Sequence, residues 1–139
     1  MQATRECLII DDDQDDQEIF LMCVRKISKD INCMAMDDGI NALSMLASKP
    51  QYIPDYIFVD VNMPKMNGID CLRALKGIDR LKDTKIFMYS TTSETSTLNE
   101  SKRLGANDFI VKPPKTETLK EKLSTIFEIV SKINIQHPR

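Results

Sequence analysis

Two adjacent acids, Asp11 and Asp12, follow the apolar run at residues 7–10. A third, Asp60, closes residues 56–59, Ser90 follows residues 86–89, and Lys112 follows residues 109–111. Carboxylates brought together repel one another, and burying three of them unpaired would cost several kcal/mol. A cation is the natural answer, with Lys112 as a partial substitute. Hard oxygen ligands of this kind suit Mg2+, which takes one or two carboxylates, keeps some waters and shares its shell with phosphate oxygens. A hydroxyl and an ammonium beside the acids would fit a phosphoryl group. Asp13, Asp15 and Asp16 read differently, because acids after a buried strand are often helix caps, and they are assigned only that role.

The elements around these residues alternate between two patterns. Residues 7–10, CLII, form a continuous apolar run, as expected for a strand buried on both faces of a parallel sheet. From 16 to 28, Ile19, Cys23 and Ile27 recur at i, i+4 and i+8, with Phe20 and Val24 beside them, which predicts a helix with one apolar stripe. Residues 31–36 make a weaker strand, and Asp38 is the expected N-cap of a short helix using Ala42, Leu43, Leu46 and Ala47. Pro50 and Pro54 bound a loop before the strand at 56–59, after which Pro64, Asn67 and Gly68 supply turn chemistry. Ile69, Leu72, Leu75 and Ile78 mark the next helix, and 86–89 the fourth strand. A helix from about 93 to 104 has few apolar positions, so it is expected to be well exposed, with Gly105 ending it. After the strand at 109–111, Thr116 is read as the cap of a last helix carrying Leu119, Leu123, Ile126, Phe127 and Val130. Beyond Ser131 the tail is expected to fray, unless Ile133 and Ile135 extend the helix.

Five strands alternating with amphipathic helices imply an α/β fold: a doubly wound parallel sheet with helices on both faces, joined by right-handed crossovers. In such sheets ligands bind outside the carboxyl ends of the strands, where the strand order reverses. Asp11, Asp12, Asp60, Ser90 and Lys112 are all placed at that edge.

Length and composition narrow the function classes. A chain of 139 residues is read as one domain, with a core of about 5–130 and a tail at 131–139, and as having no room for an output module. The net charge of -2 argues against direct nucleic-acid binding. No apolar run is long enough to span a bilayer and the N-terminus lacks signal-peptide features, so a cytoplasmic location is expected. Cys7, Cys23, Cys33 and Cys71 form no CxxC pair, and the single histidine, His137, lies in the tail, so neither a zinc site nor a disulfide framework is indicated.

LIIDDD, FVDVNMPKMNG, FMYSTT and GANDFIVKP resemble, in order and spacing, the successive motifs of the response regulator receiver domain, the CheY-like superfamily. The resemblance covers about residues 5 to 130. It implies a strand order of 2-1-3-4-5 and a two-component signalling role. It implies Asp60 as phosphoacceptor, with Asp11, Asp12, Asp60 and the backbone carbonyl of Asn62 around Mg2+, Asp11 acting mainly through metal-bound water. Lys112 would pair with a phosphoryl oxygen, and Ser90 would donate its hydroxyl once the group is attached. Phe109 resembles the family's aromatic switch, turning inward as Ser90 moves, although from the residues alone it is equally a core aromatic. Lys112 followed by Pro113 resembles a family site with a cis peptide, while the residues themselves only push Lys112 out of the α region.

Two positions depart from the family pattern. Thr91 stands where Ala or Gly is common and would narrow access to Asp60, and Pro114 replaces a frequent Phe. The implied phosphodonor is a sensor histidine kinase or a histidine phosphotransfer protein. The output is a protein partner that the sequence does not identify, and the chain is read as a phosphoacceptor, not an enzyme. Two alternatives remain. One is a Mg2+-dependent phosphohydrolase using Asp11 and Asp13, against which Asp15 stands where that motif has Thr or Val. The other is a pseudo-receiver that keeps the fold without phosphorylation, against which the full set of acids and lysine speaks.

Overall fold

The structure, a computed structural model, describes residues 4–92 and 94–136. Ser93, His137 and the side chains of Val130, Ile133 and Ile135 lie outside the described residues. In chain order the elements are β1 (Arg5–Ile10), α1 (Gln14–Ile27), β2 (Ile31–Met36), α2 (Gly39–Ser48), β3 (Tyr56–Asp60) and α3 (Gly68–Lys76). A single 3-10 turn (Asp79–Leu81) leads to β4 (Lys85–Ser90), α4 (Thr95–Arg103), β5 (Asp108–Val111) and α5 (Thr116–Gln136). All neighbouring strands are parallel, in the order β2-β1-β3-β4-β5, as the resemblance implied. The order reverses between β1 and β3, so the crevice of the sheet opens at their carboxyl ends.

The runs in β1 and β3 are apolar throughout because both faces of the sheet are covered. Side chains alternate between two cores. Cys7, Ile9, Tyr56, Phe58, Phe87 and Tyr89 pack with Phe20, Cys23 and Val24 of α1 and Leu119, Leu123 and Phe127 of α5. Leu8, Ile10, Ile57, Val59, Ile86 and Met88 pack with Leu46 of α2 and Leu72 and Leu75 of α3. Aromatic rings join the first core: Phe58 stacks on Phe87 at 4.9 Å between centroids and meets Phe20 edge-on at 4.9 Å. The Arg5 guanidinium ties three elements together, donating to the Tyr56 hydroxyl at 2.9 Å and to the Phe127 carbonyl at 3.2 Å.

Short polar side chains start the helices as expected. Asp13 accepts from the Asp16 N–H at 3.1 Å, Asp38 from Asn41 at 2.7 Å and Asn67 from Asp70 at 2.9 Å. Several details differ from the sequence reading. On α1 the buried face is Gln17, Phe20, Cys23 and Val24, while Ile19 points to solvent. The helix starts at Gln14, and its phase is set by the ring cluster over Phe58. Ala47 is exposed, and Ile78 lies beyond α3, which stops at Lys76. Thr116 is the first residue of α5 instead of its cap, and α5 continues to Gln136, the extension past Ser131 that the sequence left open. In α4 Ser101 is the one buried residue, in line with the expected exposure, and Gly105 follows with φ +96.

Candidate functional site

Asp11 is the first residue past β1, and its N–H donates to the Met36 carbonyl at 3.0 Å, which fixes the end of β1 against β2. Asp60 is the last residue of β3 and pairs in register with Tyr89, so Ser90 stands one rung further on at the end of β4. Lys112 follows β5, and its backbone N–H donates to the Ser90 carbonyl at 2.7 Å. The sheet therefore brings residues from four strand ends to one edge. Asp11 is fully buried, Asp60 nearly so, and Asp12 is exposed at the rim. One carboxylate oxygen of each lies within 4.8 Å of the others.

The Lys112 ammonium is the positive centre. It bonds to Asp11 Oδ2 at 2.8 Å and Asp16 Oδ2 at 2.9 Å, and reaches Asp60 Oδ1 at 3.6 Å, with the Tyr89 ring face 5.0 Å from it. Desolvation pulls the ammonium down, but the bonds to Asp11 and Asp16 outweigh it and hold Lys112 above its usual range. Asp11 is lifted by burial, against the Lys112 and Asp13 N–H bonds that favour its charge. Asp60 is pushed up to about 7, first by burial and then by the Asp11 charge, with Asp12 adding to it and Lys112 opposing. Buried Gln17 secures the floor of the site, donating to the Asp11 carbonyl at 2.6 Å and to Asp37 Oδ1 at 2.9 Å.

The loop after Asp60 doubles back tightly. The Gly68 N–H donates to the Val61 carbonyl at 2.8 Å. A β-carbon at Gly68 would lie 2.7 Å from Val61 Cα and closer still to the Asp60 carbonyl oxygen, so only glycine lets α3 start against the end of β3.

The structure brings Asp11, Asp12, Asp60 and Lys112 together, with Ser90 on the same edge. Ser90 is buried, and its hydroxyl accepts from the Thr92 N–H at 3.3 Å. Asn62 and Thr91 are exposed on the loops leaving β3 and β4. Phe109 is half-buried, packed at the margin of the core that Leu46, Leu72 and Leu75 share with the sheet. The Lys112–Pro113 peptide is trans, unlike the cis bond of the family site it resembles. Asp16 corrects the sequence reading. The sequence pattern gives it a capping role only, yet its carboxylate is one of the two nearest to Lys112, while Asp13 does the capping. The pair spans 96 positions in sequence, and no local pattern signals it. Gln17 was missed for the same reason.

The donor set fits a small divalent cation. Three carboxylates, two of them buried, lie within 4.8 Å of one another, and the burial and mutual repulsion that lift Asp60 are what such an ion would relieve.

A family model described as the response regulator receiver domain matches residues 7–124. The chemotaxis protein CheY of Pseudomonas aeruginosa is 36% identical over 120 residues, covering 84% of this chain and 94% of that protein. The chemotaxis protein CheY-3 of Vibrio cholerae is 36% identical over 128 residues, covering 92% and 95%. Among solved structures, Vibrio cholerae CheY4 superposes with a TM-score of 0.76 at 28% identity, covering 88% of this chain and 98% of that one.

Proposed function

The chain belongs to the response regulator receiver domain family of two-component signalling, and on that premise we propose that Asp60 is its phosphoacceptor. The observation that carries this reading is the position of Asp60: nearly buried at the switch point, beside Asp11 and Asp12 and 3.6 Å from the Lys112 ammonium. Asp11 is a poorer nucleophile. One of its oxygens accepts from Lys112 and the other from the Asp13 N–H at 3.0 Å, whereas Asp60 meets Lys112 beyond hydrogen-bond reach. An Asp60 oxygen attacks the phosphorus of a phosphohistidine, the O–P bond forms as the N–P bond breaks, and the electron pair returns to the imidazole. The donor is the histidine of a sensor kinase or of a histidine phosphotransfer protein.

Asp11, Asp12, Asp60 and the Asn62 carbonyl would hold Mg2+, whose charge, when bound, screens the repulsion between the carboxylate and the incoming phosphoryl group. Lys112 supplies a fixed positive charge to the phosphoryl oxygens as negative charge builds on them. The Ser90 hydroxyl, which accepts from the Thr92 N–H, donates its own proton to a phosphoryl oxygen, and Phe109, half-buried one rung below Ile110, reorients in response. The signal then leaves through contacts with a partner protein. Thr91, on the rim beside Ser90, narrows access and slows exchange. The domain acts as an acceptor that assists its own phosphorylation, in the cytoplasm. Among the described residues, no helix is long and apolar enough to cross a membrane.

Intact-protein mass spectrometry after incubation with acetyl phosphate tests the reading. A single phosphoryl adduct that needs Mg2+ and is absent from Asp60→Asn is the expected result. An adduct that persists in Asp60→Asn, or none under conditions that label a control receiver, would overturn it.

A further inference from the structure

We propose that Asp16 is a positioning residue that competes with the phosphoryl group for Lys112 and so acts as a brake on phosphorylation; this rests on Asp60 being the phosphoacceptor. Lys112 has three N–H donors. Two are committed at hydrogen-bond distance, to Asp11 at 2.8 Å and to Asp16 at 2.9 Å, and Asp60 is left at 3.6 Å. The side chain of Lys112 is only 9% exposed, so its charge is shared among these carboxylates with little help from water.

The two committed partners are not equivalent. Asp11 is fully buried, anchored by the Asp13 N–H, and belongs to the acid cluster that a cation would join. Asp16 lies in the first turn of α1, with its side chain 33% exposed, outside that cluster. The α1 N-terminus favours its negative charge in that place. Its backbone N–H is held by the Asp13 cap at 3.1 Å, which fixes the carboxylate's origin. The Asp16 bond therefore draws Lys112 toward α1 and away from the Asp60 carboxylate. The third N–H can serve a phosphoryl oxygen on Asp60 only if the ammonium moves from 3.6 Å toward Asp60, and the bond to partly exposed Asp16 is the one that yields to that movement, since releasing Asp11 would strand a buried charge. The barrier to phosphotransfer then includes breaking the Lys112–Asp16 pair. Once the pair is broken, Asp16 is free at the rim and rehydrated.

Removing the competing charge should speed the reaction. Partly exposed ion pairs are worth up to about 1 kcal/mol, which corresponds to about fivefold in rate. The experiment follows Mg2+-dependent labelling by acetyl phosphate in time, by intact mass, for wild type, Asp16→Asn and Asp16→Glu. Asp16→Asn is expected to label about fivefold faster, and Asp16→Glu, which restores the charge, to return close to the wild-type rate. The 15N resonance of the Lys112 ammonium reports the pair directly and should shift in Asp16→Asn but much less in Asp16→Glu. A purely structural role would move thermal stability without accelerating labelling. Asp16→Asn labelling at the wild-type rate or more slowly overturns the brake while leaving Asp60 as acceptor. A wild-type chain that takes no label at all overturns both readings, so the two failures are distinct.

Discussion

In metal-free buffer, raising the pH from 5 to 8 should cost the wild-type protein stability that Asp60→Asn retains. Burial and the Asp11 charge lift Asp60 from 3.8 to about 7 in the folded protein, while an unfolded aspartate titrates near 3.9. Between those values the folded state holds a proton that the unfolded state has released, so stability falls as pH rises through the window and levels off above about 7. At about 1.4 kcal/mol per pH unit for a full proton, going from pH 5 to pH 8 removes roughly 2 to 3 kcal/mol. For a chain of this size, with an unfolding entropy near 2.1 cal/mol/K per residue, that is a drop in Tm of about 8 °C. Asparagine has no proton to lose, so the variant lacks this slope. Lys112 is held above its usual range and stays charged throughout. The assay is unfolding followed by far-UV circular dichroism in EDTA at pH 5, 6, 7 and 8, the chain having no tryptophan. The quantity to read is the difference between the two proteins at each pH. Millimolar Mg2+ should flatten the wild-type slope, because the cation takes over from the proton. A difference that stays constant from pH 5 to pH 8, or widens in the wild type's favour, would refute the assignment of a strained carboxylate at Asp60.

Two further substitutions probe the frame of the site. Lys112→Met leaves Asp11 buried without its cation, so urea unfolding at pH 8 should show a loss of about 3 kcal/mol, shrinking toward pH 5 as the carboxylates protonate. The same variant should slow labelling by acetyl phosphate about 100-fold or more, read from the same mass-spectrometric time course. Gly68→Ala forces a methyl group onto the backbone at Asp60 and Val61 and should cost about 2 kcal/mol or more, together with most of the labelling rate. Gly77→Ala is its control: the nearest atom to the new methyl would be 3.4 Å away, so melting temperature and labelling should stay close to wild type.

Much of this site is written in the sequence because strand ends are abrupt. In a sheet covered on both faces, CLII gives way to Asp11 and YIFV to Asp60 without transition, and the switch-point rule then places those residues on one edge. Helix phase was harder to read. Ile19, Cys23 and Ile27 make a stripe as regular as the one that is buried, and only contact with Phe58 and Tyr89 selects Phe20 and turns Ile19 outward. Asp16 was misread because a carboxylate in a first helical turn already has a local explanation. Its partner enters only when β5 returns beside β4 and delivers Lys112 to the far side of the crevice. Gln17 was illegible for a related reason, since a glutamine in an amphipathic helix gives no sign that it will be buried beneath an acid.

The Arg5 tie to Phe127 carries a consequence for the protein's birth on the ribosome. Synthesis delivers Arg5 122 positions before Phe127, yet β1 and Phe127 share one side of the sheet and a direct hydrogen bond. Until Leu119, Leu123 and Phe127 have emerged, Cys7, Ile9, Tyr56, Phe58 and Phe87 form an uncovered apolar surface with α1 as a partial roof. A nascent chain halted before α5 therefore has its chemical edge nearly complete, with Lys112 already made, but lacks the cover that would hold that edge rigid. Such a surface is what chaperones bind and what drives aggregation. The cover of this side of the sheet, and with it the rigidity of the edge that carries the acids and Lys112, is therefore completed only by the last helix.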